Sequence, residues 1–148
     1  MKSREFFSLL IAAALTLPLS AVAENSTSVD DYTIHHNAFT TDTLTPEVAK
    51  AYGLQRSKHR GMLNVSVIKE KAGTTGTSVP ARVEVQAVAL TGQGSRIPMR
   101  ELKDQDAVYY VGEFAVHNEE TVNFAIEVTP EGSGKTYKMT MDQQFFTD

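Results

Sequence analysis

The amino-acid sequence predicts an all-β protein, an antiparallel β-sandwich of about seven strands with one short helix near residues 46–52. Three observations carry that prediction. Apolar and polar residues alternate with period two in several segments, the pattern of strands with one face buried and one solvated. Val, Ile, Thr, Tyr and Phe make up 42 of the 125 residues from Glu24 onward, a composition suited to pleated, half-buried surfaces. Turn-forming clusters at Gly73 to Gly76, Thr91 to Ser95, His117 to Glu120 and Pro130 to Gly134 divide the chain into short segments of the length a sandwich uses.

The elements follow in order. Glu24 to Asp30 is polar and reads as a flexible N-terminal segment. Tyr32 to Phe39 is the first strand. Then Thr45 can cap a helix, Pro46 fits its first position, Glu47 complements its dipole and Gly53 can close it, so one or two helical turns are expected. Leu63, Val65 and Val67 alternate with Asn64 and Ser66. Val83, Val85 and Ala87 alternate with Arg82, Glu84 and Gln86. Ala107 to Val116 is more uniformly apolar, as a central strand is. Val122, Phe124, Ile126 and Val128 keep one phase against Thr121, Asn123, Ala125 and Glu127, and Tyr137, Met139 and Met141 share a face of the last strand. Residues 31–148 thus form one domain. Periodicity does not say how a sheet closes, so a barrel is the competing architecture.

The first 23 residues read as a secretory signal peptide. Lys2 and Arg4 supply the positive start, Phe6 to Leu19 the apolar stretch, and Ala21-Val22-Ala23 the small-x-small cleavage site. The apolar stretch is shorter than the roughly 20 residues a membrane helix needs, and Pro18 interrupts it. Removing Lys2, Arg4 and Glu5 with the leader takes the formal charge from −4 to −5, an unfavourable balance for nucleic-acid binding. The chain contains no cysteine, which excludes disulfides, thiol nucleophiles and Cys-ligated zinc. A bacterial periplasm is the compartment these features suit.

Two stretches, Tyr32 to Phe39 (YTIHHNAF) and Leu44 to Val67 (LTPEVAKAYGLQRSKHRGMLNVSV), resemble a bacterial secreted family, domain of unknown function 4426. The resemblance runs over most of the chain after the leader. It implies a periplasmic β-sandwich of immunoglobulin-like type, and it brings no activity and no site residue with it.

Candidate chemistry therefore rests on the residues themselves. Gln55 to Gly61 is the densest charged segment; if extended, it places Arg56, Lys58 and Arg60 on one side, with His59 among them. These four residues are the candidate site for an anionic ligand or an acidic partner, against the plainer role of a solvated connector that protects a sheet edge. Met62, Met99, Met139 and Met141 with His35, His36, His59 and His117 offer thioether and imidazole, a ligand set for Cu(I). Met139 and Met141, however, fall in phase with Tyr137 as core residues, and adjacent His35 and His36 face opposite sides of a strand, so no metal site is assigned. His117-Asn118-Glu119-Glu120 reads as a hairpin loop and Gly92-Gln93-Gly94 as a turn. No GxSxG, HExxH or phosphate-binding loop occurs.

The sequence reading is a non-enzymatic periplasmic interaction module that presents Thr45 to Arg60 to another periplasmic protein or an anionic ligand, with no cofactor and no nucleic-acid partner. Copper handling through Met and His, and an enzyme with an unrecognised site, are the alternatives.

Overall fold

In the computed structural model, which describes residues 25–88 and 91–148, the chain forms two antiparallel sheets packed face to face. The strands are β1 (Asn25–Val29), β2 (Tyr32–Thr40), β3 (Arg60–Lys69), β4 (Thr77–Ser78), β5 (Ala81–Val88), β6 (Gly94–Ile97), β7 (Arg100–Asp104), β8 (Ala107–Ala115), β9 (Thr121–Pro130) and β10 (Tyr137–Gln144). One six-residue helix, α1 (Pro46–Ala51), lies between β2 and β3. The larger sheet runs β1-β2-β3-β8-β7, with β4 also paired to β3; the smaller runs β10-β9-β5-β6. No described strand pairs across from one sheet to the other, so the architecture is a sandwich and not a barrel. Residues 1–23, which the sequence predicts to be a leader, lie outside the described residues.

Ten strands replace the expected seven or so, and the additional ones share a physical cause. The segment read as flexible, 24–30, contains β1, which pairs with β2 from Asn25↔His36 to Val29↔Tyr32. Its backbone groups find partners although its side chains are mostly small and polar. Gly94–Ile97 and Arg100–Asp104 are likewise mostly exposed and polar, and Pro98 between them marks where the chain leaves the smaller sheet for the larger. β4 is only two residues long. All four lie at a sheet margin or are too short to show a period, and hydropathy registers only strands that bury a face.

The interior lies between the sheets. Val122, Phe124, Ile126 and Val128 of β9 are 8, 0, 1 and 0 % exposed, and β9 sits between β10 and β5. Facing them are Ile34 of β2 and Leu63, Val65 and Val67 of β3, all fully buried. The ring of Phe114 meets those of Phe124 and Phe145 edge-on, at centroid separations of 5.1 and 5.5 Å. The Tyr110 hydroxyl ties the sheets together, accepting from the Ala81 amide at 2.7 Å and donating to Glu101 Oε2 at 3.0 Å. Burial raises its pKa, with the Ala81 amide opposing and Glu101 adding to the rise.

β8 is mostly apolar, Glu113 excepted, because both of its faces are largely covered. Val108 and Tyr110 point into the space between the sheets, and Val111 packs in a second cluster on the outside of the larger sheet.

Candidate functional site

The second cluster is a small core of its own, made by folding residues 41–59 back over the outer face of β3 and β8. The fold-back begins with a 3-10 turn, Thr41–Thr43, and continues into α1. Thr45 caps α1 by accepting from the Val48 amide at 3.3 Å, with Pro46 at the first position, as the sequence predicts. The chain then reverses at Gly53, whose φ of +67° lies in the left-handed region that glycine tolerates best. Leu54 returns to the sheet and packs with Ala49, Met62 and Val111.

A loop laid over a sheet has no ladder to satisfy its backbone, so side chains do it. Thr41, fully buried, donates its hydroxyl to the carbonyl oxygens of Gln55 (2.7 Å) and Ser57 (3.2 Å) and accepts from the Ser57 amide at 2.9 Å. Arg56 donates through Nε to the Leu44 carbonyl at 2.7 Å and through Nη2 to that of Asp42 at 3.1 Å. Arg100 reaches from β7 to the Tyr52 carbonyl. The cap is therefore stitched at both ends by cationic or hydroxyl donors onto carbonyls.

Between the cap and the sheet a half-open cavity of about 240 Å³ remains. Phe39, Tyr52 and Tyr109 line it with rings, and Leu44, Met62, Leu102 and Val111 complete an apolar wall. Asn64 is the one amide in the lining, and its Oδ1 is buried without a hydrogen-bond partner. A buried, unpaired carbonyl oxygen costs about 1–3 kcal/mol, which a donor entering the cavity could recover once the amide turned toward it.

The candidate residues of the basic segment sit at the rim of this cap, all exposed, but not as one extended row. The chain turns at Lys58–His59, where the Arg60 amide donates to the Ser57 carbonyl, so alternation is lost. Arg56 is engaged by the cap backbone as above. Arg60 opens β3 and pairs with Glu113 at 3.4 Å. The His59 amide and carbonyl bond to Ser57 Oγ and the Val116 amide, and His59 and Lys58 are both exposed. The segment is not extended, so the condition for one charged face is not met, and two of its three cations have intramolecular partners. What the sequence did not reveal is the pocket, whose walls come from β2, β3, β7, β8 and the cap.

The other candidates fall as follows. Met139 and Met141 lie in the main core, and His35 and His36 face opposite sides of β2. His36 Nδ1 approaches Met141 Sδ at 3.4 Å. Among the described residues no three His, Cys, Asp or Glu side chains cluster as metal ligands. His117 to Glu120 is the β8–β9 turn, closed by the His117 amide donating to Glu120 Oε2. No helix among the described residues is long and apolar enough to cross a membrane.

Together these features define a two-sheet sandwich whose larger sheet carries a stitched cap over an apolar pocket. The sequence belongs to the family described as a domain of unknown function, DUF4426, whose model matches residues 26–148. A crystal structure of a DUF4426 family protein from Pseudomonas aeruginosa PAO1 is similar at 30% identity and a TM-score of 0.71, over 84% of this chain and 96% of that one. FetP of uropathogenic Escherichia coli strain F11 shares the fold at 10% identity and a TM-score of 0.58, over 83% of this chain and 93% of that one. A copper-bound variant of FetP gives 0.59 at 10% identity, over 83% and 95% of the two chains. No curated protein matches the sequence.

Proposed function

We propose that the protein is a periplasmic, non-enzymatic binding module that takes an apolar group of its partner into the pocket under the cap. The observation that carries this reading is the pocket itself: an opening lined by three aromatic rings and four aliphatic or thioether side chains, with Asn64, whose buried amide oxygen is unpaired, as its one amide residue. Binding sites are mostly apolar with a few polar groups that fix orientation, and this lining has that composition. Lys58, exposed in the turn that ends the cap, would add charge attraction for an acidic partner and speed its encounter. The leader features of residues 1–23 support export, and the production of the fold relative FetP in the periplasm of E. coli agrees with that compartment.

The test is a pull-down from periplasmic extract with the protein lacking residues 1–23, repeated with two variants. Leu102→Trp fills the pocket from β7, where Leu102 is only half-buried, and Lys58→Glu reverses a rim charge. The expected result is a retained component that Leu102→Trp abolishes and Lys58→Glu weakens in a salt-dependent way. A component recovered equally by all three folded proteins would overturn the reading.

A further inference from the structure

The capped pocket leaves unused a second meeting of side chains, inside the sandwich. His36 of β2 and Met141 of β10 come from opposite sheets and meet where the β1–β2 margin closes over β10, Nδ1 to Sδ 3.4 Å. They are 5 and 6 % exposed. The other ring nitrogen, Nε2, lies 3.1 Å from Thr27 Oγ1 on β1. A neutral imidazole protonates one ring nitrogen and keeps a lone pair on the other, and these two contacts decide which.

Two arrangements satisfy these contacts. With the proton on Nδ1, the ring donates to the Met141 sulfur and accepts from Thr27, and the group is a closed structural element. With the proton on Nε2, the ring donates to Thr27 Oγ1, and the Nδ1 lone pair faces the sulfur lone pairs with nothing between them. A cation between those two donors turns that repulsion into ligation, and the hydroxyl that fixes the tautomer then has the place a metal-bound imidazole's outer partner takes.

We propose that His36 and Met141 bind a soft monovalent cation, Cu(I) or Ag(I), with Thr27 as the residue that orients the ring. The donor set selects the metal: a thioether and an imidazole suit Cu(I), and no carboxylate-rich cluster for a hard divalent ion exists among the described residues. The separation fits as well. Taking bonds of about 2.0 Å to nitrogen and about 2.3 Å to sulfur, the lengths found in zinc sites, donors 3.4 Å apart subtend about 105° at the ion, the angle of a three- or four-coordinate centre, so a water or other exogenous ligand completes the set.

The test is an anaerobic titration with Cu(I) against a chromogenic Cu(I) chelator, using four proteins. Wild type is expected to hold one equivalent per chain. Met141→Leu keeps the volume of the core and removes the sulfur, and should hold none. Met139→Leu changes the other thioether of the same strand face and should bind as wild type does. Thr27→Val removes the hydroxyl at Nε2 and should weaken binding by about 10- to 100-fold, the usual effect of losing an outer-shell partner. Ag(I) added to 15N-labelled wild type should shift the His36 Nδ1 resonance, a readout independent of whether the variants fold. No stoichiometric binding by wild type, retention by folded Met141→Leu, loss by Met139→Leu, or an unmoved Nδ1 resonance carrying a proton would each overturn the site.

Discussion

The two sides of the larger sheet are built from the same strands and stabilised in different ways. On the inner side, β3 and β8 meet the smaller sheet across a core of buried aliphatic and aromatic side chains contributed by seven strands. On the outer side, the neighbouring residues of those strands meet a single folded-back segment, and the cluster they form is small and half-open. The inner side is held by area removed from water, the outer side largely by side-chain hydrogen bonds from Thr41, Arg56 and Arg100 to loop carbonyls. A region held by a few directional bonds can open locally at a cost well below global unfolding, and binding surfaces are drawn from such regions.

The sharpest way to separate the sides is to remove one large inner side chain. Phe124→Ala deletes a ring that is 0 % exposed and packed edge-on against Phe114, so it loses transfer free energy and leaves a cavity the two sheets cannot close. A destabilisation of about 3–5 kcal/mol in urea is expected. A loss below about 1 kcal/mol would place the ring outside the core.

The corresponding cut on the outer side is Thr41→Val, close in shape but without the hydroxyl. It strands the Ser57 amide and takes a donor from two carbonyls, and should cost about 1–3 kcal/mol. Its signature distinguishes the regions: amide exchange should accelerate at residues 54–59 while β9 and β10 keep their relative protection. Uniform acceleration across both sheets would mean that cap and core unfold as one unit.

The same contrast explains what could be read in the sequence. Period-two alternation located the buried face of β9 residue by residue, because every one of its inward positions is apolar and every outward one is available to solvent or small. The local chemistry of α1 was also legible, since Thr45, Pro46 and Gly53 act within a few residues of one another. The strands β1, β6 and β7 were not, because backbone pairing leaves no mark on hydropathy when side chains are exposed. Nor was the pocket. Tyr52, Asn64, Leu102 and Tyr109 are scattered along 58 positions and converge only through the order β2-β3-β8-β7. The uniformly apolar run of β8 was the one trace of a covered outer face, and it read simply as a central strand.

Mild acid probes the inner side through His36. His36 has a lowered pKa in the folded protein, so the folded state resists protonation that the unfolded chain accepts. The sign follows: its contribution is fully present above the unfolded value of about 6.5 and is lost as pH falls from there through the lower folded value. Stability should therefore decline below about pH 6.5 by up to one proton's worth of slope, and His36→Gln should flatten that decline. An equal decline in the variant would assign it to other groups.

The smallest effect belongs to the rim of the cap, and it tests whether those charges hold the fold or face outward. Arg60 and Glu113 pair at 3.4 Å with side chains 44 and 29 % exposed, so water screens much of their attraction and holding both side chains still costs entropy. Such a pair contributes about 0.2–1 kcal/mol, and Arg60→Gln should fall in that range, shrinking further in high salt. Lys58 has less to lose, being an exposed side chain in a turn, and Lys58→Gln should change stability by no more than about 0.5 kcal/mol. Arg56 is the exception within the same segment, because its guanidinium bonds two cap carbonyls and its removal should loosen residues 42–44. If the three substitutions prove equal in urea and in exchange at 42–44, the cap does not depend on Arg56. If Arg56→Gln alone exposes those amides, the basic segment divides into one residue that builds the cap and others left free to face a partner.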